Sequence, residues 1–181
     1  MKRIAFIISA LLASFTFSGC AVQQTPAEVA AEKELMNVLY TNAKEALENQ
    51  DFVLEANYLI FKRGRMVSVT PSTNFVMLKD GKATIQLASN FSPYAGPNGI
   101  GGITVEGRVS NVKMNEDKNG VISFSMNVMG TGVSATVFIR MHKDSNQCSA
   151  TVSPNFNSQR ITFTGTICPS EYSDVFKGRA L

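Results

Sequence analysis

The chain has 181 residues, a formal net charge of +3, three cysteines, one histidine and no tryptophan. That length fits one domain whose core can form without disulfide staples. Residues 1–19 contain Lys2 and Arg3, so without them the charge falls to +1 over 162 residues. No basic stripe with interleaved aromatics remains, and nucleic acid is excluded as an expected partner.

In chain order, Met1-Lys2-Arg3 is a positive opening and "IAFIISALLASFTFS" is a 15-residue apolar run. A helix that crosses a membrane needs roughly 18 or more apolar residues, so the run reads as a secretory signal peptide. It ends in "FSGC", where small Ser18 and Gly19 precede Cys20. This tetrapeptide resembles the lipobox of bacterial lipoproteins, in which cleavage leaves an acylated cysteine at the new N-terminus, although Phe17 replaces the usual Leu. Cys20 is therefore expected to be lipidated, and acyl chains anchor a domain with no spanning helix. The expected division is a signal over 1–19, a tether over 20–25 and a single helix-plus-β domain over 26–181.

Thr25, Pro26 and Glu28 have the spacing of a capping box with proline at the first helical position. Leu35, Leu39, Ala43, Ala46 and Leu47 follow at helical spacing, which predicts one amphipathic helix from about Pro26 to Asn49. Its narrow, alanine-rich stripe suits packing on its own domain. After Gln50 the period becomes two. "DFVLEANYLIFK" places Phe52, Leu54, Ala56, Tyr58 and Ile60 on one face. "NFVMLKDGKATIQLAS" is a hairpin turned at Asp80-Gly81. "ITVEGRVS", "VISFSMNV", "VSATVFIRM", "CSATVS" and "RITFTGTIC" also alternate. The fold class is all-β, mainly antiparallel: about eight strands in a meander, forming a sandwich or a flattened barrel, with the helix over an open end or a sheet face.

The stretches "FVLEAN", "NFVMLKDGKATIQLAS", "NGIGGITVEG", "FSMNVMG" and "SDVFKG" together resemble the small lipoproteins grouped as domain of unknown function 4251, over roughly Asp51 to Gly178. The resemblance implies the envelope of a Gram-negative cell and carries no catalytic or binding residues with it. The tether lacks an acidic cluster resembling a surface-export signal, which points to an outer-membrane lipoprotein facing the periplasm.

"NFSPYAGPNGIGGITVEG" looks like a phosphate cradle, but neither nucleotide motif fits. Gly99 and Gly101 are followed by Thr104 where a dinucleotide fingerprint needs glycine, and no Gly-Lys-Ser/Thr occurs. A strand follows instead of a helix N-terminus, so no helix dipole faces an anion. No cofactor is expected. Either the glycines shape a connection between strands or Ser89 to Gly102 is a ligand loop, with Phe91, Tyr94, Asn98, Gly99, Gly101 and Gly102 as its candidate residues.

Enzyme chemistry finds little support. His142, the single histidine, lies in the polar turn signal "MHKDSN", so neither a triad nor a metal site is expected. Glu55 and Glu106 are mid-strand carboxylates that only a hydrolase with a paired-carboxylate site would use. Cys148 and Cys168 flank the last strand pair; an oxidising compartment favours a disulfide between them, whereas their alternation places them on opposite faces. Two non-enzymatic roles remain: binding of an apolar or peptide-like ligand, or docking on another envelope protein. A cavity lined by residues such as Phe124, Met126, Phe138 and Ile139 would favour the former, and a solid core with an exposed apolar patch the latter.

Overall fold

The structure is a computed structural model that describes residues 25–88, 97–131, 133–155 and 159–180. The chain divides into two compact units, Met1–Glu32 and Lys33–Leu181. Helix α1 spans Pro26–Glu48. Its start is the capping box read from the sequence: the Thr25 backbone N–H donates to the Glu28 carboxylate at 2.7 Å, and the Glu28 N–H donates to Thr25 Oγ1 at 3.3 Å. That hydrogen bond from Thr25 lowers the pKa of the Glu28 carboxyl. The helix ends in a left-handed residue, Gln50 at φ 56°, with Gln50 N–H bonded to Leu47 O and Asp51 N–H to Ala46 O.

Nine strands follow: β1 Phe52–Phe61, β2 Met66–Ser68, β3 Phe75–Lys79, β4 Lys82–Ala88, β5 Gly102–Glu116, β6 Ile122–Gly130, β7 Ser134–Met141, β8 Gln147–Pro154 and β9 Ile161–Pro169. From β3 to β9 each strand pairs antiparallel with the next, and β1 joins both β3 and β9. The result is a closed eight-stranded barrel, with short β2 added beside the second half of β1. Closure resolves the sandwich-or-barrel alternative: pairing of β1 with β9 along its whole length removes both edges. The Asp80-Gly81 turn has φ of 51° and 69°, as a two-residue hairpin with both central residues left-handed requires.

One face assignment changes. A bulge at Asn57 separates the pairs Ala56–Gly165 and Tyr58–Thr164, so the inward set continues as Leu59, which is buried, while Tyr58 points out and is 44 % exposed. Gly165 is required there, because a Cβ on it would stand 1.9 Å from Glu55 O.

The helix closes one end of the barrel by its last turns only. Ala43, Ala46 and Leu47 are buried in the same cluster as Phe52, Leu78, Ile122, Phe124, Met141 and Ile167, the inward residues of that end. Leu35, expected on the packed stripe, is exposed. Tyr40 donates its hydroxyl hydrogen bond to Gly120 O, and Lys44 pairs with Glu116 at 2.8 Å, which seats the helix across the β5–β6 turn.

Candidate functional site

An eight-stranded barrel is just wide enough for side chains to fill it or for one small ligand to enter. Here the two outcomes occur at opposite ends. In the half near the helix, Phe52 and Phe124 meet edge to face with ring centroids 5.4 Å apart, and Met126 and Ile139 are buried around them. The other half holds an apolar cavity of about 320 Å³. Its walls are Ile85 and Leu87 of β4, Ile103 and Val105 of β5, Ala135 of β7, Val152 and Pro154 of β8, and Ile161 and Phe163 of β9, with Val133 and Gln159 from the adjoining connections. Small Ala135 faces Pro154 across the β7–β8 pair, so neither fills the space between them. Ile103 is 44 % exposed, which marks this end as open.

The residues named from the sequence as cavity walls do not line it. Phe124, Met126 and Ile139 are core, and Phe138, one residue from inward Ile139, necessarily points out and is exposed. The lining residues belong to apolar faces that were legible as alternation. Which end of those faces the helix closes was not, because it depends on where the helix lands.

The described part of the glycine stretch, residues 97–102, packs on the outer surface. Asn98 is buried, and its side-chain oxygen accepts the N–H groups of Ile100 at 3.0 Å and Gly102 at 2.9 Å. The loop is thus wound around one amide, with Gly99 at φ 79° and Gly101 at φ 87° permitting the path. A Cβ on Gly102 would lie 1.8 Å from Leu87 O, so the loop returns to β4 at a distance only glycine allows. Phe91 and Tyr94 lie outside the described residues.

The Asn98 amide nitrogen bonds to Thr104 Oγ1, and Thr104 donates to Gln86 Oε1 at 2.9 Å. Gln86 in turn holds the chain after β9. Its amide donates to Phe176 O at 2.7 Å and to Thr73 O at 3.0 Å, and its oxygen accepts the Gly178 N–H at 2.8 Å. Residues 173–179 therefore form a strap across the outside of the barrel, continued by Phe176 N–H to Ser72 O and Arg179 N–H to Asn98 O. The buried polar side chains of this patch are satisfied, as burial demands: Asn98, Thr104 and Gln86 as above, Asn74 by accepting the Ala88 N–H and donating to Thr70 O, and Thr84 by donating to Glu106.

The strap also accounts for the two carboxylates. Glu55 accepts from Ser173 Oγ at 2.5 Å, and Glu106 pairs with Lys177 at 2.6 Å. They stand on β1 and β5, three strands apart in the order β1-β3-β4-β5, or about 14 Å along the sheet. Paired-carboxylate hydrolysis needs its two groups within roughly 5–9.5 Å, so they do not form such a site. His142 is an exposed residue following β7. Among the described residues no group of three or more His, Cys, Asp or Glu side chains is placed to hold a metal ion.

The two cysteines are free thiols. Cys148 faces inward opposite Gly165, whereas Cys168 lies opposite Val53 and contacts its carbonyl. The two side chains thus lie on opposed faces, as alternation indicates. Burial pushes both thiol pKa values up, that of Cys168 to about 11.

A closed antiparallel β-barrel, sealed by a helix at one end and apolar and open at the other, is the class of protein that these features define. The family model described as domain of unknown function (DUF4251) matches residues 34–167, so the chain belongs to that family. It is similar to the protein in the crystal structure of a DUF4251 family protein from Bacteroides eggerthii DSM 20697. The two are 43 % identical, with a TM-score of 0.69 over 82 % of this chain and 99 % of that one. No curated protein matches the chain.

Proposed function

We propose that the chain is a non-enzymatic, lipid-anchored envelope protein whose barrel binds a small apolar ligand at its open end. The observation that carries the reading is the cavity bounded by Ile103, Val105 and Phe163, lined by apolar side chains apart from Gln159 and accessible from outside. Apolar walls at an opening cost free energy in water unless something covers them, and a ligand entering there removes them from solvent. The volume lies at the lower end of the range usual for small-molecule sites.

Location in the outer membrane, facing the periplasm, rests on the signal-like start and Cys20 followed by a tether without acidic residues. Acylation at Cys20 would tie the protein to the bilayer while leaving the barrel in water. Mass spectrometry of the mature N-terminus from the native host is expected to find acylated Cys20; an unmodified N-terminus beyond residue 20 would refute the anchor.

The binding role is tested with 1-aminoanthracene, a small neutral dye whose fluorescence rises in apolar sites. The mature chain carrying Cys20→Ser should bind it saturably, and Val105→Trp, which fills the cavity, should abolish the signal while the fold persists by circular dichroism. Undiminished dye binding in Val105→Trp would place the ligand elsewhere.

A further inference from the structure

We infer that the ligand of the open end is an anionic amphiphile, with an apolar chain in the cavity and an acidic head group at a basic lip. This deepens the binding role proposed above and rests on it.

The inference comes from how charge is distributed between the two ends. At the helix end, each connection contains an aspartate: Asp51 before β1, Asp80 between β3 and β4, Asp117 between β5 and β6, and Asp144 between β7 and β8, with Lys118 and Lys143 beside the last two, so these connections are net acidic. Turn chemistry accounts for three of them. Asp80 and Asp144 adopt positive φ, and Asp117 accepts the N–H groups of Asn119 and Val121. The described residues of the connections at the open end are 62–65, 69–74, 97–101, 131, 133, 155 and 159–160. They contain Lys62, Arg63, Arg65 and Arg160, and neither aspartate nor glutamate.

These four cations are gathered on one side of the lip. Phe61, the last residue of β1, lies opposite Ile161, the first of β9, and Ile161 is a wall of the cavity. The turn after Phe61 is closed tightly by Gly64 N–H to Phe61 O and Phe61 N–H to Arg65 O. The Arg65 guanidinium consequently sits over the Phe61 ring, 5.7 Å from its centroid. Arg160 immediately precedes Ile161. All four side chains are exposed, and Arg63 and Arg160 have no ion-pair partner among the described residues.

A charged head group cannot follow its chain into the cavity, because desolvation there is prohibitive. It stops at the lip, where long Lys and Arg side chains reach it while their stems cover apolar wall. Beside a low-dielectric wall the attraction exceeds that of an exposed pair in bulk water, and the acid-free end draws anions towards the opening. A neutral apolar ligand would gain none of this. The asymmetry therefore selects among amphiphiles of equal chain length.

The test uses the dye-loaded mature chain, Cys20→Ser, and compares displacement of 1-aminoanthracene by dodecanoate and by dodecanol. Dodecanoate should displace the dye roughly tenfold more tightly, as charge-assisted hydrogen bonds allow. That ratio should fall towards one in Arg63→Glu/Arg160→Glu, or in Arg63→Ala/Arg160→Ala if the reversal misfolds, and should shrink with added salt. Equal displacement by acid and alcohol, or a ratio unmoved by the substitutions, would overturn the inference and leave the cavity reading standing. Binding only to dioleoylphosphatidylglycerol vesicles, with no displacement by dodecanoate, would also overturn it, since the lip would then be reading a membrane surface. Absence of dye binding in the first place would remove the cavity reading and this inference with it.

Discussion

The two ends of the barrel are built from the same strands and the same residue classes, yet one is solid and the other hollow. At the helix end the inward positions carry Phe52, Phe124, Ile122 and Met141, and Leu47 from α1 completes the packing. At the open end they carry Ile85, Val105, Ala135, Val152, Ile161 and Phe163, smaller on average and met by no helix among the described residues. The difference teaches that hydrophobic alternation specifies a barrel interior without specifying its occupancy. Whether an interior is core or site is decided by side-chain volume and by what caps each end.

The largest effect expected from this contrast is on stability. Phe124→Ala should lower unfolding free energy by about 3–5 kcal/mol, because a buried ring is lost from a close-packed region. Ile103→Ala, on a residue already 44 % exposed at the open end, should cost less than about 1 kcal/mol. Denaturant titration of the two variants checks this, and equal losses would break the distinction between a packed end and a hollow one.

Next in size are changes that separate the barrel from its outer fittings. Gly102→Val places a Cβ 1.8 Å from Leu87 O, so the loop must move off β4, at about 1–3 kcal/mol. Gln86→Leu leaves Phe176 O and the Gly178 N–H without their partner and should cost about 1–3 kcal/mol. It should also release the strap, which hydrogen exchange at Gly178 would report. Protection at Gly178 equal to that of the wild type would show that the strap is held by something other than Gln86.

The smallest effect concerns alkaline pH. Burial holds the folded thiols of Cys148 and Cys168 protonated above the ordinary cysteine range, that of Cys168 to about 11. A raised acid contributes stability that is complete below the unfolded pKa, near 9, and is lost as pH rises towards the folded value. Melting temperature should therefore drift down between pH 9 and 11 by more than in Cys148→Ala/Cys168→Ser, and both native thiols should alkylate slowly at neutral pH.

Local features of this architecture are legible in the sequence where one interaction decides the outcome. The Thr25–Glu28 box starts the helix and Asp80-Gly81 turns the hairpin as their chemistry dictates. Features that depend on distant partners are not legible. The Asn57 bulge, which exchanges Tyr58 for Leu59 on the inward face, arises from pairing with Gly165 more than a hundred residues later. Barrel closure by β1 and β9 is of the same kind. Three-residue β2 is too short to show a period. The strap has no period at all, since its main chain is held by the Gln86 side chain and by single backbone bonds to Ser72 and Asn98 instead of a ladder. The cavity combines both difficulties: its walls are visible as apolar faces, and its emptiness follows from the tertiary position of α1.

A crystal structure of the mature domain soaked with dodecanoate tests the central claim most directly. The account predicts electron density for an extended chain between Ile103, Val105 and Phe163, with the carboxylate at the lip formed by Arg63 and Arg160. An open end filled by the protein's own side chains, or dodecanoate bound only on the outer surface, would contradict it.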